Sequence, residues 1–269
     1  MYHGCTRTRG ARDQRGLESF LKLHAALGIS AGDVVAFAGA GGKSGSILQV
    51  ASELAEAGLT VLVVPTTKMS LDEARGIGPL VTSEDPEELR GKIKISFSEG
   101  NARVAAGSAM LSKGRVGGVP PDLVSDFATL ADVLLVEADG SRQRPIKGTA
   151  DHEPALPDAS TLVVAVGNVD ALGSPVDEEH VHRPALFSEL TGVGHGQSIT
   201  ARAFAQALVE GSLAKVLPGA RTAALITGVE PGRTMADASV VSRELWRLGT
   251  RHVVLTSIPK DAPTRVWVP

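Results

Sequence analysis

The sequence predicts an α/β protein: a doubly wound, mostly parallel sheet with a P-loop-type nucleotide site and a small β-containing insertion. Three observations carry that prediction. Short apolar runs alternate with segments of helical periodicity along the whole chain, as in strands joined by crossover helices. The runs within Thr60–Pro65, Asp132–Val136 and Thr161–Gly167 are continuously apolar, as in strands buried on both faces of a parallel sheet. A further run, Val34–Ala38, breaks into Gly39-Ala40-Gly41-Gly42-Lys43-Ser44 just before a helical pattern begins.

That glycine stretch is the candidate functional centre. Strand, glycine loop and helix in this order let backbone N–H groups approach a phosphate chain, and the helix N-terminus adds orphan donors and its positive dipole end. Gly39 to Gly45 would form the phosphate cradle, Lys43 would reach the outer phosphates, and the Ser44 hydroxyl would ligate Mg²⁺. The full P-loop pattern has a further glycine, four residues ahead of the Gly-Lys-Ser triplet, where this chain has Phe37. What remains, Gly39-x-x-Gly42-Lys43-Ser44, is the shorter loop seen in folate and peptidoglycan-precursor ligases.

Composition narrows the setting. The 269 residues carry a formal charge of −3, which argues against a nucleic-acid-binding protein as a whole. The single cysteine, Cys5, excludes an intrachain disulfide and a cysteine zinc cluster. No apolar run is long enough to span a bilayer and the start lacks the apolar core of a signal peptide, so a cytoplasmic protein without a membrane partner is expected.

In chain order, residues 1–16 read as a disordered tail, with four arginines against one aspartate up to Arg15. Residues 17–269 read as a single domain. Leu17–Leu27 has helical spacing; Asp33–Ala57 holds the first strand, loop and helix, closed by Gly58. The strand Thr60–Pro65 runs into Thr66-Thr67-Lys68-Met69, at a carboxyl end where ligands gather in open α/β sheets. Residues 72–119 read as a β-containing insertion flanking the site, with β-like pieces at Ile93–Phe97 and Arg103–Ala106. Within it, Asp85-Pro86-Glu87-Glu88-Leu89 marks a helix start.

A helix over Pro121–Leu130 feeds the strand Asp132–Val136, which ends in Glu137-Ala138-Asp139-Gly140-Ser141-Arg142. An apolar strand closing on carboxylates is what a nucleotide site needs to hold Mg²⁺, so Glu137 and Asp139 join Ser44 as candidate metal ligands. Continued strand geometry would point both carboxylates the same way. Arg142, Arg144 and Lys147 can neutralise phosphate charge or clamp an acidic substrate; His152 is suited to acid–base or positioning work. His180-x-His182 lacks a third ligand at diagnostic spacing and does not read as zinc. Beyond the strand Thr161–Gly167 and its Asn168 and Asp170, the alternation continues. A helix covers Ala203–Leu208, a strand Arg221–Ile226, a helix Ala236–Leu248 and a strand His252–Leu255.

Taken together, the motifs resemble the YqeC family. The resemblance rests on Gly39–Ser44, Thr66-Thr67-Lys68-Met69, Glu137–Arg142, Pro145-Ile146-Lys147, His152-Glu153-Pro154, Asp170-Ala171-Leu172-Gly173 and Val181-His182-Arg183-Pro184. It runs from about Gly32 to the C-terminus. It implies a P-loop-type nucleotide-binding protein, an accessory factor in the maturation of a selenium-dependent molybdenum hydroxylase, with that enzyme or its cofactor as partner. Two departures stand out. Ser44-Gly45-Ser46 replaces two threonines and an apolar residue, and Thr227-Gly228-Val229-Glu230 replaces an Asn-Lys-x-Asp-like string that reads guanine, keeping only the terminal acid. The nucleotide is therefore ATP or GTP, with guanine disfavoured.

On this reading the catalytic set is Lys43, Lys68, Glu137, Asp139 and Arg142. Lys68 and Arg142 would stabilise charge during phosphoryl transfer in an NTPase. An ATP-dependent ligase or kinase for a small acidic substrate, and a non-hydrolysing nucleotide-dependent switch or chaperone, are the alternatives.

Overall fold

The computed structural model describes residues 21–257 and 262–269. The basic stretch 1–16 and the first part of the helix expected from Leu17 lie outside them. Helix α1 (Leu23–Leu27) is followed by β1 (Val34–Gly39), α2 (Lys43–Glu56) and β2 (Val61–Pro65). Next come β3 (Met69–Ser70), α3 (Leu71–Ile77), β4 (Leu80–Thr82), α4 (Pro86–Ser98), β5 (Arg103–Gly107), β6 (Met110–Leu111) and β7 (Arg115–Val116). Helix α5 (Pro121–Phe127) leads to β8 (Val133–Glu137), β9 (Ile146–Lys147), β10 (Leu162–Asn168), β11 (Val181–His182) and α6 (Pro184–Thr191). Helix α7 (Ala201–Gln206) continues as a π-helical turn (Ala207–Ser212), and β12 (Arg221–Thr227), α8 (Arg233–Arg247), β13 (Val253–Ser257) and β14 (Ala262–Val266) follow.

Nine of these strands form one sheet in the order β14-β13-β12-β10-β1-β8-β2-β5-β4. Every pairing in it is parallel except β13 with β14. All six residues of β1 and all five each of β2 and β8 are buried, which is why these strands read as unbroken apolar runs. Alternate residues face opposite layers. Val35, Phe37, Val63 and Leu135 pack under α1, α2 and α3. Ala36, Val64 and Val136 pack over α4 and α5. Ala165, Ala224 and Ile226 pack over α6, α7 and α8. Helix α2 buries Ile47, Val50, Ala51 and Leu54, one stripe at 3–4-residue spacing, so its axis is fixed against β1 and its N-terminus points along the carboxyl edge of the sheet.

Chain order explains where a crevice opens. After β1 the chain lays down β2, β4, β5 and β8 on one side; it then builds β10, β12, β13 and β14 on the other. The layers filled after β1 and after β10 lie on opposite faces, so the loops leaving these neighbouring strands diverge. That is the geometry of a topological switch point. At the other end of the sheet, Asp33 ties β1 to its neighbours. It accepts from Thr161 Oγ1 at 2.6 Å and Arg221 Nη2 at 2.8 Å, and it is held in the charged form below the usual carboxylate range although burial opposes this.

Two expectations change. Ile93–Phe97 is helical, inside α4, because Asp85 accepts from the Glu88 N–H at 2.8 Å as N-cap, Pro86 opens the first turn, and Leu89, Ile93 and Ser96 form the buried face. Ile95, which makes the stretch look alternating, is 60% exposed. The stretch 72–119 also contributes β4 and β5 to the main sheet, while only β3, β7 and β6 form a separate small antiparallel sheet.

Candidate functional site

A cleft of about 1450 Å³ opens over the carboxyl ends of β1, β2, β8, β10 and β12. Its floor is the glycine loop. Gly39, Gly41 and Gly42 have φ of +98°, +71° and +120°, backbone that side chains disfavour. Space forbids a side chain as well: a Cβ on Gly39 would lie 2.3 Å from the Val166 oxygen, and one on Gly41 2.4 Å from the Pro145 oxygen and 2.6 Å from Asn168 Cβ. The loop is thus pressed onto β10 and the segment before β9.

This packing leaves its amides free. The Ala40 N–H donates to Val166 and the Ser46 N–H to Gly42, both at 2.9 Å. The N–H groups of Gly41, Gly42, Lys43, Ser44 and Gly45, between them, have no acceptor among the described residues. Those five residues line the cleft. Consecutive unpartnered donors at a helix N-terminus form an anion-binding nest.

Beneath the loop runs a buried chain of ions. Lys43 Nζ donates to the Gly39 oxygen at 2.6 Å and lies 3.1 Å from Asp139 Oδ1. Asp139, fully buried, accepts on Oδ2 from the Gly39 N–H at 2.9 Å and from Lys147 Nζ at 3.0 Å. Lys147 is 2% exposed and also donates to Glu153 at 2.6 Å and to the Gly140 oxygen at 3.0 Å. Glu153 in turn pairs with Arg183. Burial works against the charged form of Glu153, but Arg183 and Lys147 outweigh it and hold the carboxyl down at about 2. Burial, reinforced by the charges of Arg183 and Lys147, pushes His182 down to about 4, so this cleft-lining imidazole is neutral at pH 7.

Glu137 and Asp139 do not share an environment. Glu137 ends β8 and reaches the cleft, with its two oxygens 3.4 and 3.5 Å from Ser44 Oγ. Burial is the main cause that pushes it up to about 7; Glu73 and Asp139 add to this, and Lys43 and Ser44 oppose it. Asp139 lies under the loop: Oδ2 accepts from the Gly39 amide and Lys147, and Oδ1, 3.1 Å from Lys43, accepts no hydrogen bond among the described residues. The strand hydrogen bonding ends at the Ala138 N–H on Phe37, and the Ala138 oxygen accepts from Ala155, so the chain turns before Asp139 could follow Glu137 into the cleft. Asp139, fully buried and ion-paired with Lys43 and Lys147, does not reach the cleft, whereas Ser44 and Glu137 both line it and face each other. Two hard oxygens facing a phosphate nest suit Mg²⁺, which takes few protein ligands and completes its shell with phosphate and water.

Of the other residues singled out in the sequence, Lys68 and Arg142 line the cleft and are exposed, whereas Gly39 and Ala40 lie below its surface. Lys147, expected with the basic substrate cluster, belongs to the buried ion chain instead. His180 pairs with Asp177 at 2.7 Å and does not line the cleft, whereas His182 does. Among the described residues no group of three or more His, Cys, Asp or Glu is placed to hold a metal ion. Two participants lie outside the site residues that the sequence suggests. Thr227 Oγ1 donates to the Gly41 oxygen across 186 positions of chain, and Arg115 enters the cleft from β7. Among the described residues, no helix is long and apolar enough to cross a membrane.

A sequence model of the YqeC protein matches residues 35–185, more than half of the chain and the segment that holds the glycine loop, Glu137, the ion chain and His182. The chain belongs to the YqeC family. Within that family, the Escherichia coli (strain K12) "Uncharacterized protein YqeC" is 33% identical over 167 residues, which is 60% of this chain and 61% of the relative. Among solved structures, this YqeC-family chain is similar to the 54 kDa signal recognition particle protein of Aeropyrum pernix K1, determined in complex with GDP. That similarity has a TM-score of 0.38 and 11% identity and covers 87% of this chain and 43% of the other.

Proposed function

We propose that this YqeC-family protein binds a nucleoside triphosphate with Mg²⁺ and hydrolyses it, as an accessory factor in the maturation of a molybdenum hydroxylase. The observation that carries the nucleotide reading is the run of five unpartnered amides, Gly41 to Gly45, at the N-terminus of α2 within the cleft. A triphosphate would lie on this nest, and Lys43 would exchange the Gly39 oxygen and Asp139 for phosphate oxygens. Ser44 and Glu137 would hold Mg²⁺ directly or through water; when bound, the ion would supply charge neutralisation between the outer phosphates. Asp139 would act as a positioning residue, fixing the root of the loop through the Gly39 N–H. Lys68 and Arg142 would face charge that develops on the transferred phosphoryl group. The base remains ATP or GTP. The maturation role rests on the family resemblance, and selenium dependence of the client enzyme on the same ground.

The test is calorimetric titration with non-hydrolysable ATP and GTP analogues, with and without Mg²⁺. Saturable, Mg²⁺-dependent binding of one analogue that weakens at least tenfold in Lys43→Ala is the expected result. Unchanged affinity in Lys43→Ala, or no binding of either analogue, would refute the nucleotide reading. A protein that binds but releases no phosphate, alone or with a molybdenum hydroxylase, would be a switch rather than an NTPase.

A further inference from the structure

The cleft is larger than the phosphate nest needs, and two of its cations stand away from the nest. At about 1450 Å³ it exceeds the ~300–1,000 Å³ typical of single small-molecule pockets. The switch-point crevice between β1 and β10, with Asn168 and Thr227 against the loop, is the flank where a nucleotide would extend. The opposite flank, over β2, carries Lys68 and Arg115, whereas Arg142 stands on the other side, where its charge acts on His182 of β11. The root of Lys68 follows β2, two strands from β1, which is about 10 Å at the ~4.8 Å spacing of neighbouring strands. Arg115 stands further out, on β7, which pairs with β3 beyond Lys68.

These cations make no ion pair among the described residues. The acids beside them are engaged elsewhere: Glu73 accepts from the Ser70 N–H in the capping box of α3, and Glu137 faces Ser44. The backbone that presents Lys68 is held from several sides. The Thr66 N–H donates to Glu137 at 3.0 Å and Thr66 Oγ1 to Ala155 at 2.9 Å; the Val119 N–H donates to Pro65 at 2.8 Å, and Arg115 Nη2 donates to the Lys68 oxygen at 2.5 Å. Gly118 is pressed so close that a Cβ there would lie 2.6 Å from the Thr66 carbonyl carbon. Next to Lys68, the buried Thr67 hydroxyl has no hydrogen-bond partner among the described residues, a vacancy native structures usually fill. Unpaired cations on fixed backbone beside an orphan hydroxyl suit an oxyanion.

We infer that this flank binds a second substrate, a small molecule bearing a phosphate or carboxylate group, alongside the nucleotide. The inference deepens the nucleotide reading and rests on it. Arg115 and Lys68 grip the oxyanion, with Lys68 on the side towards the nest. Confinement to a cleft, in a chain with 3% aromatic residues, fits a small anion rather than a strand of bases, which would need stacking surfaces.

The experiment is calorimetry in two stages on the full chain. The protein is first saturated with whichever Mg²⁺–analogue complex it binds; inorganic phosphate and citrate are then titrated separately as tetrahedral and carboxylate probes. Saturable binding of one probe to the loaded protein, at least tenfold weaker in Arg115→Gln, is the expected result, and the probe that binds identifies the oxyanion. No binding of either probe to a loaded protein overturns the inference and leaves the nucleotide reading standing. If Arg115→Gln loses the nucleotide itself while circular dichroism stays native, this cation serves the triphosphate and the second subsite is overturned. Failure of the first stage refutes the nucleotide reading, and the second-substrate role falls with it.

Discussion

Replacing Asp139 by Ala tests the most heavily buried chemistry of the site. The ion chain sets three cations, Lys43, Lys147 and Arg183, against two carboxylates, Asp139 and Glu153. Without Asp139 the same three face one. Removing one partner of a buried pair costs ~3–5 kcal/mol, because the other charge remains out of water. Two details place this site near the lower limit. Lys147 keeps Glu153 at 2.6 Å and the Gly140 oxygen at 3.0 Å, and Lys43 can turn into the adjoining cleft. The Gly39 N–H also loses its acceptor, at ~1–3 kcal/mol if no water reaches it. Asp139→Ala should therefore lower stability by about 3–4 kcal/mol in urea unfolding, and adding Lys147→Met should recover part of that loss. A single variant within 1 kcal/mol of the parent would refute the claim that Asp139 supports the loop, and would keep it among the candidate metal ligands.

Two further outcomes follow from the same geometry. The Glu137 carboxyl is pushed up from 4.5 to about 7 in the fold, so its contribution to stability is fully present below pH 4.5 and is lost as pH rises through 7. Mg²⁺ needs the ionised form, so Mg²⁺–analogue affinity should rise towards about tenfold per pH unit below 7 and level off above it; equal pH profiles for the parent and Glu137→Gln, which retains the titration of the phosphates, would contradict this. Gly41→Ala should weaken analogue binding at least tenfold, since its Cβ would meet the Pro145 oxygen at 2.4 Å on backbone at φ +71°; unchanged affinity measured by calorimetry would show that the loop amides are not the binding surface.

The sequence exposes the centre of this fold and hides its edges, for physical reasons. Strands β1, β2, β8 and β10 are covered on both faces, so burial writes itself into contiguous residues. The edge strand β4 has three half-buried residues and no such run. In α4, the alternation of Ile93, Ile95 and Phe97 is a coincidence of five residues, and the decisive evidence for helix lies eight residues upstream at the Asp85 cap. The site divides similarly. Glycines, Lys43 and Ser44 are contiguous, and their order states their role. Lys147 follows the exposed Arg142 and the half-buried Arg144 in sequence, and its burial follows from how two irregular segments fold Asp139 and Glu153 around it. Arg115 reaches the cleft only because β7 pairs with β3, a tertiary event that local composition does not encode.

The separation of the two acids also explains how the loop could stay open without a ligand. A nest of free amides on a flexible loop would collapse onto its own carbonyls. Here Asp139 takes the Gly39 N–H, Val166 takes the Ala40 N–H, and Thr227 holds the Gly41 oxygen, so both ends of the loop are fixed while the amides between them remain unpaired. Lys43 meanwhile rests on Asp139 and the Gly39 oxygen, 3% exposed. In the proposed reading, an arriving triphosphate replaces that ion pair with another of the same kind. Lys43 moves from one set of oxygens to another, and Asp139 retains Lys147 and the amide. Little of the binding energy is then lost to ordering the loop or to stranding a buried charge. An acid placed to bind Mg²⁺ itself would have to leave this support, which is why the carboxylate facing Ser44 is a different residue, two positions earlier, at the end of β8.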